Sequence, residues 1–136
     1  VLTWHLQNGY RQAVVTDSDS PTLPVAHLEQ AFTELDKPNV DVVLGPCDDG
    51  GYYLIGLKSP CAALFRRVAM STATVLKDTL ERAREQGLRA ICLPGWYDVD
   101  TFEDLQRLAT EIRTRPDYYA RHTRAFLAVA RSLVNP

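Results

Sequence analysis

At 136 residues, 46% of them hydrophobic, the chain can bury one substantial core and is too short for two ordinary domains, so one domain over residues 1–136 is expected. Its net charge of −2, with 15 basic and 17 acidic residues scattered along the length, offers no basic stripe and argues against nucleic acid as a partner. Cys47, Cys61 and Cys92 form no C-x-x-C pair, no apolar run approaches the roughly 20 residues of a membrane span, and the opening VLTWHLQNGYRQ lacks the order of a secretory signal, which together suit a cytoplasmic protein.

The first segment is apolar at Val1, Leu2, Trp4 and Leu6 and predicts a helix packing over a sheet or into an interface between copies of the chain. QAVVTD, ending at Asp17, is a short β-rich run that stops at an Asp/Ser/Pro cluster, as a buried strand emptying into a loop does. Pro24 then opens a helical pattern carried by Ala26, Leu28, Ala31, Phe32 and Leu35 and ended by Lys37-Pro38-Asn39. Val40 to Leu44 predicts a second strand broken by Gly45-Pro46, and Tyr52 to Leu57 a third, with the acidic, glycine-rich CDDGG between them. Ser71 is the expected N-cap of a helix with Val75, Leu76, Thr79, Leu80 and Ala83 on one face and Gly87 as its stop. LRAICLP predicts a fourth strand. Thr101 and Asp104 match a capping pattern for a helix through Leu105, Leu108 and Ile112, and a last helix is expected from about residue 116 to 134. Strands alternating with helices predict an α/β fold with a mixed, mostly parallel sheet.

In such sheets ligands collect beyond the carboxyl ends of the strands, and three loops carry acids at that kind of place: DSDSP, CDDGG and YDVDT. Asp17 and Asp19 offer hard oxygen ligands suited to Mg²⁺ or Mn²⁺ in diphosphate chemistry, and are equally ordinary turn residues. In CDDGG the paired glycines either allow close backbone approach to a ligand or simply make a tight hairpin. Tyr52 and Tyr53 point to opposite faces of a strand, so only one can line a site. Asp98 and Asp100 share a face next to a helix start, and Asp100 either serves chemistry or helps cap that helix. His5, His27 and His122 have no convergent metal-ligand pattern and fit packing or surface roles. Lys58, Arg66 and Arg67 either reach a phosphate or are, as isolated basic residues on an ordinary surface usually are, simply solvated. No G-x-S-x-G elbow, Walker A loop or G-x-G-x-x-G fingerprint is present.

The ordered blocks DSDSPTLP, DVVLGPCDDGGYYLIGL, MSTATVL and LPGWYDVDTFEDL resemble the bacterial radical-SAM/selenodomain-associated transferase 1 family, over nearly residues 1 to 113. That glycosyltransferase-A-like family is similar to nucleotide-diphospho-sugar transferases and small nucleotidylyltransferases. The resemblance implies a three-layer α/β/α sandwich of which this chain is the C-terminal two-thirds. It implies metal ligation of Mg or Mn by Asp19 and Asp100, a catalytic acceptor-side role for Asp49, and substrate binding by Ser20, Pro21, Gly50, Gly51 and Tyr52. The implied substrates are a nucleotide-sugar or nucleotide and an acceptor.

Three departures accompany it. The chain begins after the family's basic K-x-P-x-x-G-x-x-K-T-R-L segment; Met70-Ser71-Thr72-Ala73 stands in place of W-S-T-D; and Phe102 replaces a proline. A sheet without the first βαβ unit would leave edges uncovered, which implies a homodimer. Two functions follow as expectations: a metal-dependent glycosyl or nucleotidyl transferase, or a noncatalytic oligomeric binding module descended from one.

Overall fold

The apolar run Val42-Val43-Leu44 is wholly buried and forms the middle of a four-stranded sheet. In the computed structural model, which describes residues 1–134, the elements follow one another as α1 (Leu2–Gln7), β1 (Ala13–Thr16), α2 (Val25–Asp36), β2 (Val42–Pro46), β3 (Tyr52–Leu57), a 3₁₀ turn (Ala62–Phe65), α3 (Val75–Glu85), β4 (Ala90–Cys92), α4 (Phe102–Thr114) and α5 (Arg121–Val134). Residues 135 and 136 of the span expected to be one domain lie outside the described residues. The backbone groups into two compact units, residues 1–17 with 24–97, and residues 18–23 with those from Asp98 onward.

In the first unit the strand order is β1-β3-β2-β4. β3 lies antiparallel to both β1 and β2, and β4 runs parallel to β2. Two of the three strand pairings are therefore antiparallel and one is parallel, which makes the sheet mixed, as expected. The five-residue link between β2 and β3 is too short for a crossover, so it forces a hairpin. On one face Val42, Leu44, Ile55, Leu57 and Ala13 share a buried cluster with Leu2 of α1, Leu64 of the 3₁₀ turn and Ala83 of α3. α2 packs on β2 and β3 with Ala31 and Leu35 fully buried. Helices thus cover both faces in three layers. Truncating a residue such as Leu44 to alanine would cost about 3 kcal/mol.

Several boundaries differ from expectation for local reasons. β2 continues through Gly45 and Pro46, which pair with Leu54 and Tyr52 across a register shift. Glycine is required there: a Cβ on Gly45 would stand 2.3 Å from Cζ of Tyr53. α3 starts at Val75 rather than after Ser71, because Ser71 adopts φ 60° and Thr72 Oγ1 donates back to the Ala69 carbonyl at 2.7 Å, making a turn of this segment. Gly87, at φ +67°, ends the helix as predicted. α5 begins at Arg121, since Ala120 is left-handed (φ 47°) and interrupts the segment from 116.

The second unit holds α4 and α5. Leu108 and Ile112 are the buried face of α4. Nη2 of Arg124 donates to the carbonyls of Ile112, Arg115 and Pro116, satisfying acceptors at the α4 C-terminus. Thr22 donates to Glu111 at 3.1 Å and its carbonyl accepts from Tyr119 Oη at 2.6 Å, so the 18–23 loop is fastened to this helical unit. No helix among the described residues is long and apolar enough to cross a membrane.

Candidate functional site

Two acid-bearing segments meet within the second unit. The Val99 N–H donates to the Asp19 carbonyl at 3.0 Å, tying the DSD loop to the DVD segment one residue before Asp100. Leu23 N–H donates to the Ser20 carbonyl at 3.0 Å, closing the turn through Pro21, and Ser20 is buried. Asp19 and Asp100 are both exposed, and among the described residues their carboxylates make no hydrogen bond or ion pair.

The start of α4 explains why Asp100 is left available. Thr101 is the N-cap and forms a complete capping box: its hydroxyl accepts from the Asp104 N–H, and its own N–H donates to the Asp104 carboxylate at 2.9 Å. Donors from Thr101 hold the Asp104 carboxyl below the usual range. Capping thus falls to Thr101 and Asp104, and Asp100 stands just outside the positive end of the helix, where negative charge is favoured. Among the described residues the Asp100 side chain makes no capping hydrogen bond. Carboxylate oxygens are hard donors of the kind that divalent cations take.

The CDDGG loop lies in the first unit. Cys47 N–H donates to the Gly51 carbonyl at 3.0 Å and Gly50 N–H to the Cys47 carbonyl at 3.3 Å, making a compact turn. Gly50 has φ +91°, and a Cβ there would sit 2.1 Å from the Ala73 carbonyl oxygen. The Gly50 carbonyl in turn accepts from Leu76 N–H at 3.1 Å, so the loop is fixed to the first turn of α3. The exposed Asp49 carboxylate accepts from Gly51 N–H at 2.8 Å, which orients it. The tight turn is the alternative seen, and the close approach at Gly50 is to the Ala73 backbone of the same chain. Cys47, overlooked in the sequence, is buried, and its sulfur lies within 4.8 Å of an Asp49 oxygen, bringing together two donors able to contribute to a cation site.

Of the paired tyrosines, Tyr53 is the core residue and Tyr52 is half-buried against the sheet cluster. Tyr53 Oη donates to the Pro94 carbonyl at 2.9 Å and lies 3.1 Å from His27 Nδ1, on which the ring stacks. Burial pushes its hydroxyl up to about 12, and burial also lowers His27. The Trp96 ring meets His27 edge-on, while the backbone N–H of Trp96 donates to the Pro46 carbonyl. His27 is therefore the packing residue expected. Its partners lie 26 and 69 positions away, a spacing with no local signature.

Residues 1–72 match the family described as "Uncharacterized protein conserved in bacteria (DUF2064)". A search of curated proteins finds no match. The crystal structure of a "putative nucleotide-diphospho-sugar transferase" from Desulfovibrio desulfuricans G20 is 31% identical, with a TM-score of 0.79 over 95% of this chain. This chain spans 57% of that protein's length. The mixed sheet between helical layers is thus a nucleotide-diphospho-sugar transferase-like fold, and the chain belongs to the bacterial DUF2064 family.

Proposed function

We propose that the protein is a metal-dependent transferase domain acting on a nucleotide-sugar or nucleoside triphosphate, of the radical-SAM/selenodomain-associated transferase 1 type. The observation that carries this reading is the Val99-to-Asp19 hydrogen bond, which joins two segments bearing exposed, unpaired carboxylates. Asp19 and Asp100 would hold the cation, with Ser20 and Pro21 shaping the substrate-facing turn. A divalent cation bound there would neutralise charge developing on the diphosphate leaving group. Asp49, oriented by Gly51 N–H, is assigned the acceptor side, where its carboxylate would orient or deprotonate the attacking hydroxyl. Gly50, Gly51 and Tyr52 are assigned to the same substrate contact. We further propose that the protein works as a homodimer, because β1 ends the strand order with an unpaired edge among the described residues.

Calorimetric titration with UDP-sugars, GTP or CTP in the presence of Mn²⁺ tests the first proposal. Nucleotide binding should require the metal, and Asp19→Ala and Asp100→Asn should each weaken it at least about tenfold. Metal-independent binding, or affinity unchanged in Asp19→Ala, would remove the proposed site.

A further inference from the structure

Arg66 and Arg67, isolated in the sequence, are brought by the fold beside Arg82 of α3. With Ala63, Glu85 and Gln86 they line a cleft of about 310 Å³ between the 3₁₀ turn and the C-terminal end of α3. Three guanidiniums face one carboxylate, Glu85, which already pairs with Nη1 of Arg82. The remaining charge is positive. The Nε–H of Arg82 is buried and has no acceptor among the described residues, and a guanidinium donor normally finds one when removed from water. The side chains of Arg66 and Arg67 make no hydrogen bond or ion pair among the described residues. Arg67 is also held at φ 60°, a left-handed conformation that non-glycine residues seldom adopt.

We propose that Arg66, Arg67 and Arg82 bind the phosphate group of a small soluble phosphate ester. Planar guanidinium forks match phosphate oxygens two at a time, and the cleft has the volume of a small-molecule site. This place is distinct from the acidic loops: Gly50 meets the first turn of α3, whereas Gln86 follows its last, about 15 Å away along the helix. No cation is needed at it, since the protein supplies the positive charge.

Calorimetric titration of the full chain with inorganic phosphate and with glucose 1-phosphate, at low ionic strength and with a chelator present, tests the proposal. Both should bind saturably, the ester at least as tightly, and Arg66→Gln with Arg67→Gly should weaken both about tenfold. Glycine tolerates the left-handed backbone at position 67, so that pair leaves the local conformation permitted. Asp19→Ala should leave the binding unchanged. Absence of saturable binding, binding of inorganic phosphate alone, affinity unaltered by the arginine substitutions, or dependence on Asp19 or on added metal would each overturn it.

Discussion

At the scale of single residues, the buried hydroxyl of Tyr53 is the most diagnostic group. It donates to Pro94 and approaches His27, linking β3 to α2 and to the segment after β4. Its pKa is raised to about 12, first by burial and then by the nearby Cys47 and Asp17. A group whose folded value exceeds its unfolded one contributes stability fully below the unfolded value, near 10, and loses it as pH rises toward 12. The loss is on the order of 3 kcal/mol. Ultraviolet titration should show Tyr53 ionising last, or only with unfolding, and Tyr53→Phe should remove that late phase. The same substitution should cost about 1 kcal/mol at neutral pH in urea denaturation, since the Pro94 carbonyl loses its donor. A late phase retained in Tyr53→Phe would place the raised group elsewhere. None of this linkage could be read from the YY pair, which specifies opposite faces and leaves open which face is the core.

At the scale of elements, the beginning of α4 was legible because it is local. Threonine and aspartate three positions apart can exchange hydrogen bonds whatever the rest of the chain does, and both bonds are made. Thr101→Ala should destabilise the protein by about 1 kcal/mol in urea denaturation. It should also weaken any binding that depends on Asp100 by loosening the turn beside it, whereas Thr101→Ser should restore both. The beginning of α3 was not legible for the opposite reason. Ser71 has the right chemistry for a cap, yet the helix starts where Leu76 N–H finds the carbonyl of Gly50, a residue 26 positions earlier. A tertiary acceptor replaced the local one. The link between β2 and β3 sits between these cases: its glycines announced a turn, but the identity of the close neighbours, Ala73 and the ring of Tyr53, required the fold.

At the scale of the whole molecule, the proposed dimer and the sheet belong together. β1 stands at one end of the strand order, close to a face that exposes Val1, Trp4, Tyr10 and Phe32. Sedimentation equilibrium should show a species of twice the 15.3 kDa chain mass at micromolar concentration, and a proline at Val14 should shift it toward monomer by removing a backbone donor from the edge. A single monomeric species at all concentrations would end the proposal. The sequence alone determined the layered α/β class, the order of strands and helices, the capping of α4 and the three acidic loops, because periodicity, turn chemistry and caps act over a few residues. Only the tertiary structure decided that β3 is inserted between β1 and β2, that Val99 holds Asp19 beside the Asp100 segment, that Tyr53 rather than Tyr52 enters the core, and that Arg66 and Arg67 share a cleft with Arg82. Each of those outcomes joins residues far apart along the chain, and is selected by burial and hydrogen-bond satisfaction summed over the folded molecule rather than by any local preference.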